Sequence, residues 1–251
     1  MKPLQHARIT AYRYGGEWQD WIAIHDWIDR SKMVFPSVQH RMFLHSDFGE
    51  WLTVKIHGDS IRASDGVVVS TVDLFRDHQV EDLGRVVSLS EWLCAIDADY
   101  WGRRRRPPRQ LEPITSDAAA GLAARWGGTP ADYFALIEFF DKPREFAPEN
   151  PEAAAMITHN SFGIFLAEEL LGTTLTRTYD NGQLPTSPMV STRAAAEDLV
   201  YARIGSIPPA GHLAAHARLK LWMRGADVYP ALRQRRAHDR QQNYCGRQRR
   251  A

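Results

Sequence analysis

The sequence predicts a mainly α-helical protein, a tandem duplication of one small domain with about four to five helices and one β-hairpin per copy. Three observations carry this expectation. H-x-x-F-G occurs twice, at His45–Gly49 and at His159–Gly163, 114 positions apart. Other segments match in the same order: "YRYGGEWQDW" (12–21) with "ARWGGTPADY" (124–133), "HSDFGEWLTVKIHG" (45–58) with "HNSFGIFLAEELLG" (159–172), "SDG" (64–66) with "DNG" (180–182), and "VEDLG" (80–84) with "AEDLV" (196–200). Ordered self-similarity at a slowly growing offset is the mark of a repeat. Within each copy, apolar residues recur at helical spacing between Gly and Pro breaks.

Each element follows from local chemistry. A first helix (3–14; 117–126) stops at Gly-Gly, which supplies a left-handed terminus. A second (18–31; 130–142) runs to a break at Pro36 in one copy and at Pro148 and Pro151 in the other. A third, read as continuous over 37–57 and 151–171, is closed by Gly58 and Gly172. Asp-Gly and Asn-Gly then turn a hairpin. A fourth helix is expected to open with His78, Glu81 and Asp82, which could join a site, although acidic residues in a first turn would favour the macrodipole; the matching Glu197–Asp198 supports a structural role for Glu81 and Asp82. Ser88 and Glu91 have capping-box spacing for a short fifth helix, and "GHLAAHARLKLWMRG" predicts the last helix of copy two.

The expected organisation is a first repeat over 1–101, an Arg/Pro-rich linker over 102–115, a second repeat over 116–229 and a basic, disordered tail over 230–251. A net charge of +1 gives no global pull toward nucleic acid or anionic membrane. The arginines cluster at 103–109 and 233–250, where weak, sequence-independent contact with nucleic acid is the functional reading and a solvated surface the plainer one. Two cysteines without metal spacing, no apolar leader and no apolar span of membrane length lead to a cytoplasmic expectation, with no membrane and a protein partner or second copy as the other partner class. No phosphate-binding loop, dinucleotide fingerprint, nucleophile elbow or paired C-x-x-C occurs.

The contrast between copies points to a site. His45 and His159 flank the apolar stripe of the third helix and read as packing residues, and Gly49 and Gly163 as places where another helix approaches closely. Copy one has His25, His40 and Arg41 where copy two has Ile137, Ala154 and Ala155, while Asp29 is kept as Asp141. Copy one is therefore the expected site holder and copy two the scaffold. His25 and Asp29 share a helix face at i, i+4. An antiparallel helix hairpin brings them level with His40 and His45, with Lys32 and Arg41 beside them. Imidazoles and a carboxylate at that density suit a divalent ion such as Zn²⁺, with His25, Asp29 and His40 as candidate ligands. On a continuous helix, however, His40 and His45 diverge by about 140°. A metal-free polar network around Arg41 is the competing reading.

Copy one resembles an uncharacterised domain family of bacteria and phages. The resemblance rests on His6–Arg8, Gly15–Gly16, Asp20–Trp21, Ile24–His25, Trp27, Asp29, Ser31–Lys32, His40–Arg41, His45, Phe48–Gly49, Gly58, Asp65–Gly66 and Glu81–Gly84, and spans about 5–95. Gln39 and Glu50 depart from the family's residues. The resemblance implies no activity, but it implies that copy one is the intact version and copy two a divergent one. Small-ligand or metal binding in a scaffold protein is the leading functional expectation. Metal-assisted hydrolysis through the same residues and nucleic-acid association through the arginines are the alternatives.

Overall fold

A computed structural model describes residues 1–94, 116–178 and 189–215. The expected linker, the tail, the arginine clusters, Cys245, the "DNG" turn and most of the last helix lie outside the described residues. In the first repeat, α1 (Pro3–Tyr14) and α2 (Trp18–Ile28) are followed by 3₁₀ turns at Arg30–Met33 and Val38–His40, α3 (Arg41–Leu44) and α4 (Asp47–His57). A hairpin of β1 (Ser60–Arg62) and β2 (Val68–Ser70), α5 (Thr71–Leu83) and α6 (Leu89–Leu93) complete it. The second repeat runs α7 (Ser116–Trp126), a 3₁₀ turn at Pro130–Tyr133, α8 (Phe134–Asp141), α9 (Pro143–Phe146), α10 (Pro151–Met156), α11 (Ser161–Leu171), β3 (Thr174–Thr176), β4 (Met189–Ser191), α12 (Thr192–Ile204) and α13 (Ala210–Ala215). Both strand pairs are antiparallel. The mainly α, duplicated architecture is thus present as expected.

The duplication extends to single hydrogen bonds. Trp21 Nε1 donates to the Gly15 carbonyl at 2.9 Å, and the Tyr133 hydroxyl donates to Gly127 at 2.8 Å. Tyr14 donates to Asp77 at 2.9 Å, and Trp126 Nε1 donates to Asp198 at 2.7 Å. The last pair corrects one sequence match. From Ser60 to Thr174 the offset is 114, but from Val68 to Met189 it is 121, because the second hairpin has the longer loop. Helices α5 and α12 share that larger offset and both end at a left-handed glycine, Gly84 or Gly205. Asp198 is therefore the counterpart of Asp77, and Asp82 corresponds to Arg203.

Two further expectations change. The third helix is broken in both copies. His45 leaves helical geometry at φ −90°, ψ 58°, and the Ser46 side chain accepts from Gly49 N to start α4; Asn160 does the same for α11. The glycines serve this break. A Cβ on Gly49 would lie 1.8 Å from the Leu44 carbonyl oxygen, and one on Gly163 1.7 Å from that of Thr158. The close approach is by the chain's own preceding turn rather than by another helix. Also, α5 starts at Thr71 directly after β2, so His78, Glu81 and Asp82 close that helix instead of opening it, and first-turn macrodipole stabilisation does not apply to them.

The repeats share one core. Phe43 meets Phe162 edge-on at 5.5 Å between centroids, Phe48 meets Phe146 at 5.9 Å, and Lys142 lies over the Trp51 ring. Each terminal helix crosses to the other repeat: α6 packs on α9 and α10, and α13 packs on the Val38–His40 turn.

Candidate metal centre

Four elements of the first repeat turn ionisable side chains into one dry interior. From α1 comes His6; from α2 and its cap come His25 and Asp29; from the 3₁₀ turn, α3 and the break come His40, Arg41 and His45; from α5 come His78, Glu81 and Asp82. His6, His45 and His78 have no exposed surface, and Asp29, Arg41 and Asp82 have at most 4%. The break after Leu44 makes the convergence possible. It turns His45 out of the register a continuous helix would impose, so that His40 and His45 meet edge-on at 5.3 Å. On α5, His78 and Asp82 stand one turn apart on a common face.

At the centre, one ligand atom from each of Asp29, His45, His78 and Asp82 lies within 4.8 Å of all the others. His45 Nε2 is 3.6 Å from Asp29 Oδ1 and 3.4 Å from Asp82 Oδ2. His78 Nε2 is 3.8 Å from each of the same two oxygens. These spacings are too long for good hydrogen bonds. Asp29 Oδ1, His45 Nε2, His78 Nε2 and Asp82 Oδ2 are all buried without a hydrogen-bond partner, although Asp82 Oδ2 forms an ion pair with Arg41 Nη2 at 2.8 Å. Leaving such atoms unsatisfied costs about 1–3 kcal/mol each. Four of the six separations among these atoms are therefore 3.4–3.8 Å. A regular tetrahedron of such an edge has its centre about 2.1–2.3 Å from the corners, the range of Zn–N and Zn–O bonds, whereas a water hydrogen-bonded to all four would need about 2.8 Å.

The surrounding groups prepare these atoms. Burial drives His78 and His45 below the usual imidazole pKa, so both stay neutral with a lone pair available. Burial alone would raise the Asp82 carboxyl. The His45 and His6 side chains and the Arg41 guanidinium outweigh it and hold Asp82 well below the ordinary range. His6 behaves differently. Burial lowers it, but Asp82 and Glu81 prevail, with Nδ1 2.7 Å from Glu81 Oε2 and Nε2 3.4 Å from Asp82 Oδ1, and its net shift is upward.

His25 lies one shell out. Its Nδ1 is 3.0 Å from His78 Nδ1, and its Nε2 is 2.8 Å from Thr10 Oγ1. Burial, with His6 and Arg13 nearby, lowers it to about 3. If His78 Nε2 carries a lone pair toward the centre, His78 Nδ1–H donates to His25, and His25 Nε2–H donates to Thr10. His40 is anchored through Nδ1 to Ser31 Oγ at 2.9 Å, with Nε2 3.9 Å from Asp29 Oδ1. Lys32 pairs with Asp29 Oδ2 and leaves Oδ1 for the centre.

All six residues expected to form the pocket are thus near one another. Of the three expected ligands, Asp29 belongs to the convergent four, His25 also falls in a second cluster with His6 and His78, and His40 stands beside Asp29. Sequence reasoning allowed His78 and Asp82 to join the site but preferred a helix-start role for them. The signal for them was present as His78–Glu81–Asp82 at i, i+3, i+4, hidden by the misplaced helix start.

A family model described as a domain of unknown function (DUF6915) matches residues 1–102 and again 115–223. Neither the curated proteins nor the solved structures include a detectable match to the chain. Among the described residues, no helix is long and apolar enough to cross a membrane. The two family matches cover most of the sequence and coincide with the two copies seen in the fold, so the chain belongs to the DUF6915 family and carries its domain twice.

Proposed function

We propose that the first repeat binds one divalent first-row transition metal ion, with Zn²⁺ the first choice, through Asp29 Oδ1, His45 Nε2, His78 Nε2 and Asp82 Oδ2. The observation that carries this reading is the convergence of four buried ligand atoms, of which only Asp82 Oδ2 has a close ionic partner, with imidazole nitrogens and carboxylate oxygens 3.4–3.8 Å apart. Two imidazoles and two carboxylates suit a borderline-soft dication, and the two carboxylates match its charge. Burial favours the neutral imidazoles that metal binding requires. His25 and Thr10 orient His78, Lys32 holds Asp29, and Arg41 holds Asp82, as outer partners do in metal sites.

Four protein ligands from three segments, the α2 cap, the α3–α4 break and α5, fill a tetrahedral shell. That arrangement suits a metal that ties a fold together better than one that keeps a position open for water and turnover. The first repeat is on this reading a metal-stabilised helical domain, with the second repeat as its scaffold. Elemental analysis of protein purified without chelator, or reloaded with Zn²⁺, tests it. One equivalent per chain is expected, lost in His45→Ala and in His78→Ala and kept in Glu91→Ala, a surface control. Protein that neither retains nor takes up Zn²⁺ would sink the proposal.

A further inference from the structure

The second repeat retains part of the same constellation and fills it differently. Asp141 and His159 are the counterparts of Asp29 and His45. The counterpart of Asp82 is Arg203, and that of His78 is Leu199, by the register that joins Gly84 to Gly205. Arg203 Nη1 is 2.9 Å from Asp141 Oδ1 and 2.9 Å from His159 Nε2, and Nη2 is 3.1 Å from Asp141 Oδ2. Those are the atoms, Oδ1 and Nε2, whose equivalents face the centre of the first repeat. His159 donates through Nδ1 to the Ala155 carbonyl at 2.7 Å, which leaves its Nε2 lone pair toward the guanidinium.

We infer that Arg203 is a built-in replacement for the metal ion: the second repeat places a side-chain cation where the first binds a dication, and it folds without metal. The carboxylates follow the same division. Asp29 and Asp82 both face the first centre, with Lys32 and Arg41 paired to them, whereas Asp141 alone faces Arg203, with Arg144 beside it. The lost ligand positions agree too. Leu199 is buried and apolar where His78 would bind, and Ile137 is buried where His25 would orient it. With no second metal to hold, Arg41 has no counterpart, and Ala155 stands in its place. The chain therefore binds one metal ion and not two, although it has two copies of the domain. This inference rests on the metal reading of the first repeat for the identity of the replaced group, but it is tested at different residues.

The test counts Zn²⁺ bound to the full chain by isothermal titration and elemental analysis, in wild type and in two variants, with His159→Ala as a control. Wild type is expected to bind one equivalent. Two equivalents, falling to one in His159→Ala, would overturn the inference. No binding in wild type would overturn the first-repeat site and leave the second arm to decide this one. In that arm, Leu199→His/Arg203→Asp restores both missing ligands and is expected to bind one equivalent more than wild type. A folded double variant with no gain overturns the inference. The second variant, Arg203→Ala, only vacates the guanidinium. Its thermal midpoint is expected to fall, and micromolar Zn²⁺ or millimolar methylguanidinium is expected to restore it. A midpoint that neither cation moves overturns the inference even if the double variant does not fold.

Discussion

Asp82 is the residue on which the first repeat turns. It takes the Arg41 guanidinium, lies beside His6, and presents Oδ2 to His45 and His78. Removing one member of a buried ion pair costs about 3–5 kcal/mol, because the other charge stays buried and unpaired. Asp82→Ala is therefore expected to lower the urea unfolding free energy by that much at pH 7. A loss within the range of a surface substitution would show that Arg41 finds another partner. His25 gives a finer test. As an orienting residue it should, on replacement by Ala, weaken Zn²⁺ affinity by about 10–100-fold while the stoichiometry stays at one. Loss of the bound ion in His25→Ala would make it a ligand instead. At this scale much was legible in the sequence. His25, Asp29, His40 and Arg41 stand out because copy two lacks three of the four. Asp82 did not, because "EDL" at 81–83 pairs by eye with "EDL" at 197–199, and only the strand register reveals the longer loop between them.

At the scale of the element, the break between α3 and α4 decides where His45 points. Ser46 caps α4, and Gly49 lets the Leu44 carbonyl lie against the helix backbone. Gly49→Ala has no room for its Cβ, so the turn must open. Overpacking of this kind costs about 1–3 kcal/mol or more, and it should displace His45 enough to abolish Zn²⁺ binding. Unchanged melting temperature and metal content in Gly49→Ala would refute the role given to the break. Hydrophobic periodicity could not show it, because Leu44, Phe48 and Leu52 keep their spacing across the break and read as one amphipathic helix. The helices whose ends are marked by Gly-Gly, by Pro, or by the Ser88–Glu91 capping box were legible almost to the residue, since those signals act through the local backbone.

On the scale of the molecule, the two repeats are built alike but should fail differently. Chelation should destabilise the first: EDTA is expected to lower the melting temperature of wild type and to leave that of Asp82→Ala nearly unchanged. Acid should destabilise both, because His25 and His159 are each lowered to about 3 with burial the first cause, and the second repeat is the simpler case. His159 is held neutral, lowered to about 3, first by burial and then by the charges of Arg203 and Arg144, against the Ala155 carbonyl. Below its unfolded value of 6.5 the unfolded chain binds a proton that the folded chain refuses. Stability from this group is thus complete above about pH 6.5 and is lost as pH falls toward 3, by up to about 1.4 kcal/mol per pH unit. His159→Gln should flatten the dependence of unfolding free energy on pH across that window. An unchanged slope would assign the acid sensitivity to other groups. Because Phe43 and Phe162 join the two cores, Phe162→Ala should cost about 3–5 kcal/mol and separate the two transitions into resolved steps.

The amino-acid sequence by itself determined the helical class, the duplication, most helix ends and the location of the ionisable residues in the first copy. All of these are encoded over short stretches, by periodicity, by Gly and Pro, and by matching one half of the chain to the other. Only the tertiary structure decided which atoms meet. The helix break, the hairpin length and the packing of α5 against α1 and α2 set the direction of each side chain. The same contacts show that an aspartate in one repeat and an arginine in the other occupy one position. A reversal of charge at that one position separates a centre suited to a metal ion from one closed by the chain's own guanidinium.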